Sequence, residues 1–98
     1  MKIPEKVKVA GHEYKIVFDD QYLSDNDLLG EISHKRLIIS ICENQKGVKL
    51  SKSVIEENLL HEILHAIDCN YNNHSLNEQD ITNMAVGLYQ VLKDNFNF

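Results

Sequence analysis

The sequence has few basic residues and no long apolar run, and these absences exclude several classes of protein. Its 98 residues include 10 Lys and Arg against 15 Asp and Glu, which gives a formal net charge of −5. Binding a nucleic-acid backbone requires a basic surface, so we expect no nucleic-acid partner. No apolar stretch approaches the roughly 20 residues that a transmembrane helix needs, so we expect no membrane span.

Export and disulfide bonding are not expected either. The segment Met1–Lys6 lacks the apolar h-region that secretory signals carry. The sequence has two cysteines, Cys42 and Cys69, and without an export signal we interpret both as reduced thiols. These features predict a cytoplasmic protein.

The length of the chain leaves room for one hydrophobic core, so we expect residues 1–98 to form a single domain. No internal repeat or low-complexity segment is visible. A chain of this size buries only about 60% of its unfolded surface, so a bound metal would add usefully to its stability.

The N-terminal half predicts two β-hairpins. Their strands alternate polar and apolar residues or are rich in β-branched residues, and they are placed at Lys6–Ala10, Glu13–Phe18, Leu28–Ser33 and Leu37–Ile41. The turns are predicted at Gly11-His12 and at His34–Arg36. Between the hairpins, Asp19–Asp27 is interpreted as a solvated connector, either a loop or a loose helical turn. Cys42–Lys52 is predicted to be a polar loop.

The C-terminal half predicts two helices. The first begins with a capping box, Ser53 at the N-cap with Glu56 three residues later, and ends near Asn70. Its wide apolar belt indicates a central helix and comprises Val54, Ile55, Leu59, Leu60, Ile63, Leu64 and Ile67. The second runs from Ser75 to about Asp94. Its predicted buried stripe comprises Ile81, Met84, Ala85, Leu88, Val91 and Leu92.

This order of elements predicts an α+β domain. A small antiparallel sheet of two N-terminal hairpins is followed by a central helix and a C-terminal helix.

The central helix carries His61-Glu62-Ile63-Leu64-His65, which has the form HExxH. Residues four apart lie on one helical face, about 6 Å apart at Cβ, so both imidazoles can bind one zinc ion. Glu62 projects about 100° away from His61, where its carboxylate can accept a proton from a metal-held water that attacks a carbonyl. The motif therefore predicts two zinc ligands, His61 and His65, and a general base, Glu62.

An amphipathic helix with a polar seam is the simpler alternative. It does not account for imidazoles within a seam flanked by Leu60, Ile63 and Leu64. Buried histidines need hydrogen-bond partners, and a metal ion is a common one. We therefore favour metal binding.

A third ligand is expected downstream, because a catalytic zinc usually has three protein ligands and one open position. Glu78 would face the metal if the last helix packs on the central one, whereas Asp80 would point further toward solvent. Glu78 also forms a capping box with Ser75, which would explain it without any metal.

Three other residues near the motif also carry side chains that can bind a metal. Asp68 shares the face of the two histidines but would have to reach back along the axis, so we interpret it as an outer partner that fixes an imidazole tautomer. His74 lies in the turn after the helix, and nothing in the sequence holds it near the metal. Cys69 projects about 100° away from Asp68, the residue three after His65, and is not expected to bind there.

The chain resembles the small phage- and prophage-type zincins, compact HExxH metallopeptidase-like proteins related to the SprT and ImmA groups. The resemblance covers roughly residues 28 to 95. It rests on the segments Leu59–Asp68, Asn77-Glu78 and Ala85–Asn95, and on the hairpin segments Gly30–Ile32 and Leu37–Ser40.

The resemblance implies a zincin-like fold of the minimal gluzincin type. It also implies that His61, His65 and Glu78 bind Zn²⁺ and that Glu62 is the catalytic base. The chain departs from the metzincin pattern, since Asp68 and Tyr71 stand where that pattern has Gly and His. It also lacks the substrate-binding domain of larger zincins.

The sequence therefore predicts a zinc-dependent peptidase with a peptide or protein substrate. The alternative is a non-catalytic, zinc-stabilised protein-binding module, in which Glu62 would be dispensable. Tyr71, Tyr89 and His34 are the candidates for stabilising an oxyanion. The identity of the substrate and the oligomeric state are left open.

Overall fold

Two hairpins, a small third hairpin and three helices form the architecture. A computed structural model describes residues 1–96 and residue 98. The elements are β1 (Lys6–Val9), β2 (His12–Phe18), α1 (Asp20–Asp25), β3 (Gly30–Ser33), β4 (Ile38–Ile41), β5 (Asn44–Gln45), β6 (Val48–Lys49), α2 (Lys52–Tyr71) and α3 (Glu78–Asn95). The predicted α+β class is confirmed.

The first hairpin turns one residue earlier than predicted. Ala10 and Gly11 both have positive φ, +52° and +81°. Two consecutive positive φ values are the pattern of the two-residue turns that join antiparallel strands, and glycine adopts them at little cost. His12 therefore belongs to β2, where it pairs with Val9.

The prediction of an all-antiparallel sheet is wrong for the two central strands, β2 and β4. The strand order is β1-β2-β4-β3, and β2 pairs with β4 in parallel, with Ile16 opposite Ile39. The two predicted hairpins are present, but the second one joins the sheet through β4. Burial explains the choice, because Ile39 and Ile41 of β4 are fully buried, whereas all of β3 is only partly buried. The more apolar strand takes the inner position and β3 becomes an edge.

The segment between the hairpins is not merely a solvated connector. It forms helix α1, whose Leu23 is completely buried. The carboxylate of Asp20 accepts hydrogen bonds from the backbone N–H groups of Glu43 and Asn44, at 2.9 and 3.2 Å. The predicted polar loop after β4 contains the short β5–β6 hairpin. The hydrogen bonds of Asp20 join α1 to the start of this hairpin.

The start of α2 also differs from the prediction. Ser51 is the N-cap, and its hydroxyl oxygen accepts a hydrogen bond from the N–H of Val54. Glu56 does not close a capping box with Ser53. It is 1% exposed, and its two oxygens accept from the Met1 ammonium at 2.8 Å and the Tyr89 hydroxyl at 2.6 Å.

Helix α2 lies between the sheet and α3, as expected for a central helix. Leu59, Leu60 and Leu64 are buried, but two members of the predicted belt, Val54 and Ile67, are exposed.

The buried stripe of α3 is rotated relative to the prediction. It consists of Ile81, Ala85 and Tyr89, while Met84, Leu88 and Val91 are exposed. The buried hydrogen bond from Tyr89 to Glu56 explains which face of α3 is buried, because it holds the tyrosine against α2. Within the described residues, neither long helix is apolar enough to cross a membrane.

We expect Tyr89→Phe to lower the free energy of unfolding at neutral pH by about 1.5–3 kcal/mol, the value of a hydrogen bond to a charged group. Burial opposes ionisation of Glu56, but the hydrogen bonds from the Met1 ammonium and Tyr89 outweigh it and lower its pKa from 4.5. The stabilisation is therefore complete above that usual value and is lost as the pH falls through the lower folded-state pKa.

Urea unfolding at neutral and acidic pH tests this. The loss caused by Tyr89→Phe should shrink in acid, and Tyr71→Phe is the matched control, because Tyr71 is 68% exposed. Equal stability of the two variants at neutral pH would contradict the assignment.

Candidate metal centre

The two histidines of the HExxH motif lie one helical turn apart on the face of α2 that meets the start of α3. Their Nε2 atoms are 3.2 Å apart, and their rings meet edge to face with centroids 4.9 Å apart. Both side chains are partly buried, with 21% and 24% exposure. The predicted convergence of the His61 and His65 nitrogens is therefore present.

Glu78, the first residue of α3, contacts both imidazoles. Its Oε1 lies 2.7 Å from Nε2 of His61, and its Oε2 lies 3.0 Å from Nε2 of His65. With zinc–nitrogen distances of about 2.0–2.1 Å, the edges of a tetrahedral site are about 3.4 Å long. The separations among these donor atoms, 2.7 to 3.2 Å, are shorter than that length, so the atoms face a common point and need to open by at most about 0.7 Å to hold a small cation.

The capping alternative for Glu78 is wrong. The N-cap of α3 is Asn77, whose Oδ1 accepts a hydrogen bond from the N–H of Asp80 at 2.8 Å. The Ser75 hydroxyl instead donates to the carbonyl oxygen of Asn72. Asn77 can cap because it directly precedes the helix, and this leaves the Glu78 carboxylate free to face α2.

Asp68 shapes the turn between the two helices. It is 3% exposed, and its Oδ1 accepts hydrogen bonds from the Asn72 side-chain amide at 3.0 Å and from the N–H of Leu76 at 3.2 Å. No hydrogen bond from His61 or His65 reaches it in the described part of the chain. Its observed contacts fix the path that brings Glu78 to the histidines.

The carboxyl of Glu62 is buried against the sheet edge. Its exposure is 6%, and its Oε2 lies 2.9 Å from where a Cβ on Gly30 would be. Burial, followed by the charges of Glu78 and Glu31, raises its pKa to about 8. A cation beside it would lower that pKa, because it favours the ionised form.

A cleft of about 420 Å³ opens beside Glu62. Leu29 and Gly30 form the sheet side, His61 and Glu62 the α2 side, and Thr82 and Val86 the α3 side. The cleft therefore places three features on one concave surface: the carboxyl of Glu62, the imidazole of His61 and the edge strand β3. A small cleft with few polar groups is the usual form of a ligand site.

The predicted oxyanion-stabilising residues do not line this cleft. Tyr71 is exposed, Tyr89 donates to Glu56, and His34 contacts the Tyr14 hydroxyl. Asn58 lines the cleft, and its Nδ2 is buried without a hydrogen-bond partner among the described residues. No sequence pattern could have identified Asn58, because an asparagine on a helix is ordinary until the neighbouring surface is known.

Comparison with known proteins identifies no relative. No family model, no curated protein and no solved structure matches the chain. The resemblance to small zincins therefore stays a prediction from the motif and its context.

Gly30→Ala should destabilise the protein by about 1–3 kcal/mol, the usual cost of overpacking. The added Cβ would meet Glu62 Oε2 at 2.9 Å and the Ser40 carbonyl oxygen at 3.3 Å, and it would displace the carboxyl.

Gly87→Ala is the matched control, because its Cβ would meet nothing within 4 Å among the described residues. Removing a glycine from a helix interior should stabilise α3 by about 0.5–1 kcal/mol. Urea unfolding measures both variants. Changes of the same sign would show that the approach of β3 to Glu62 is not tight.

Proposed function

We propose that the chain is a zinc-dependent peptidase in which His61, His65 and Glu78 hold the metal and Glu62 is the general base. The main support is that the carboxylate of Glu78, from a different helix, lies within 3.0 Å of the Nε2 atoms of both His61 and His65. A local motif explains the two histidines, but it does not explain a third donor at the same point.

A surface ion pair is the competing explanation of this convergence. Glu78 is 67% exposed, and an exposed ion pair contributes only about 0–1 kcal/mol. A carboxylate in the first turn is also favoured by the helix dipole wherever it points. Neither effect requires two imidazole nitrogens 3.2 Å apart facing the same carboxylate, whereas a shared cation does.

The donor set fits zinc. Two imidazole nitrogens and one carboxylate form a known set for catalytic zinc, with a fourth position left for substrate or water. When bound, zinc supplies Lewis acidity toward a carbonyl oxygen and makes water more acidic. The zincin-like architecture is part of this proposal.

Glu62 would move the proton in this scheme. Its carboxylate accepts a proton from the attacking water and delivers it to the nitrogen of the leaving amine. Its burial beside the cleft suits this task, because a carboxylate with little hydration is a stronger base than an exposed one.

The edge strand β3 would orient the substrate. It is the last strand of the sheet, so one side of its backbone pairs with no other strand in the described chain. An extended peptide can add to such an edge by main-chain hydrogen bonds. Because Gly30 of β3 touches Glu62, a peptide aligned there would pass close to the proposed base.

A non-catalytic zinc module would use the same three ligands to join α2 to α3. That alternative gives no role to the buried carboxyl of Glu62, which costs stability because burial and two neighbouring acidic groups raise its pKa. A buried carboxyl that lowers stability and lies beside a cleft favours a catalytic site over a zinc site that only joins two helices.

Glu62→Gln tests the chemistry. We expect zinc content to be unchanged and hydrolysis of a quenched fluorescent peptide library to fall by about 10²–10⁴-fold, the usual contribution of general base catalysis. Glu5→Gln is the control, because Glu5 is exposed and is not among the residues that line the cleft. Full activity of Glu62→Gln would refute the mechanism. Zinc binding without hydrolysis of any library peptide by the unaltered protein would favour the binding module.

Glu78→Ala tests the ligand set. Losing an outer partner of a metal site typically costs 10–100-fold in affinity, so losing a ligand should cost more than about 100-fold. Asp80→Ala is the control, since Asp80 is exposed and its observed contact is the backbone N–H to Asn77. Competition with a zinc-binding dye measures both affinities. Equal affinities for the two variants would remove Glu78 from the site.

A further inference from the structure

A second group of potential metal-binding side chains shares no residue with His61, His65 and Glu78. His34, Cys69 and His74 each place one donor atom within 4.8 Å of those of the other two. They come from the β3–β4 turn, the last turn of α2 and the turn that follows it. The fold therefore brings together three residues that are separated in the chain.

Ordinary packing accounts for only part of this group. The rings of His34 and His74 meet edge to face with centroids 5.3 Å apart, as unliganded aromatic rings also do. Ring packing does not require a thiol within reach of both imidazoles. Cys69 is not paired in a disulfide, and the other cysteine, Cys42, is fully buried with its thiol donating to the carbonyl of Leu29.

The backbone holds His74 in an unusual conformation at this point. Its φ is +56°, a left-handed value that non-glycine residues rarely adopt. Its N–H donates to the carbonyl oxygen of Asp68 at 3.1 Å, which fixes the turn next to Cys69. Asn73 and several turn residues of this chain share the left-handed region, so the value indicates a tight turn that places the His74 ring near Cys69.

We propose that His34, Cys69 and His74 bind a second zinc ion. Thiolate and imidazole together favour zinc and exclude hard ions such as Mg²⁺ and Ca²⁺, which require oxygen ligands. The thiol proton passes to solvent when the sulfur binds the metal. The exposed position of His74 gives the metal a route of entry and leaves a fourth position for solvent.

The existing contacts suit this assignment. Nδ1 of His34 lies 3.2 Å from the Tyr14 hydroxyl, so Nε2 is the nitrogen available to a metal. A metal-bound imidazole usually has its other nitrogen held by such a partner. The edges of a tetrahedral zinc site with these ligands are about 3.4–3.6 Å. Donors that lie within 4.8 Å of one another therefore need to close by at most about 1.4 Å.

The proposed site would fasten the β3–β4 turn to the turn that leads to Glu78. It does not depend on the peptidase proposal, because its ligands are separate from His61, His65 and Glu78. Loading it should stabilise the fold whether or not the protein hydrolyses peptides.

Metal counting and cobalt spectroscopy on the full chain test the proposal. The unaltered protein should bind two equivalents of zinc, and both Cys69→Ser and Glu78→Ala should bind one. Cobalt(II) should give a near-ultraviolet thiolate charge-transfer band in the unaltered protein and in Glu78→Ala. That band should be absent from Cys69→Ser and retained in Cys42→Ser.

His74→Asn provides a second variant that should fold, because asparagine tolerates the left-handed conformation required there. It should weaken the cobalt band or lower the affinity of that site at least tenfold. A cobalt-loaded unaltered protein without a thiolate band would overturn the proposal, whatever its total zinc content. So would a thiolate band that survives Cys69→Ser, or binding in His74→Asn that equals that of the unaltered protein.

Discussion

The turn between α2 and α3 depends on the buried side chain of Asp68. Its carboxylate accepts hydrogen bonds from the Asn72 amide and the N–H of Leu76, and its carbonyl accepts from the N–H of His74. A buried carboxylate without partners would be costly, so these bonds restrict the turn to few conformations. His74 leaves the turn on one side and Glu78 follows at its end. One acidic residue therefore positions a member of each cluster of potential metal ligands.

Four strands and the two long helices could be predicted because they depend on local patterns. Alternation and β-branched residues located four strands, and amphipathic spacing located both long helices. The sheet order could not be predicted in the same way, because both hairpins carry apolar strands and the pairing is decided by burial. Ile39 and Ile41 take β4 to the interior, and a parallel pairing with β2 follows.

The residues of the candidate metal centre also differ in how far the sequence predicts them. The convergence of His61 and His65 follows from helical geometry and was predictable from five residues. Glu78 was predictable only as one of several candidates, since Ser75 suggested a capping role that the chain gives to Asn77. Whether a serine or an asparagine caps a helix depends on the backbone path before it, and Asp68 determines that path through contacts that no periodicity reveals.

The second cluster was missed for a related reason. Cys69 lies one helical turn after His65, so the sequence relates it only to the face of the HExxH histidines. In the structure its thiol lies near the imidazoles of His34 and His74, which belong to two different turns. Only the tertiary structure brings these three residues together.

The close approach of β3 to α2 links the proposed base to the proposed substrate surface. Gly30 lets the strand approach until the Glu62 carboxyl occupies the space that a side chain would fill. This contact removes water from the carboxyl and contributes to its raised pKa, and the nearby charges of Glu78 and Glu31 add to the effect. Under the proposed function, a divalent cation among His61, His65 and Glu78 offsets that repulsion and restores the ionised base. A peptide added to the edge of β3 would then lie beside Glu62, because Gly30 lets the strand and the carboxyl approach each other closely.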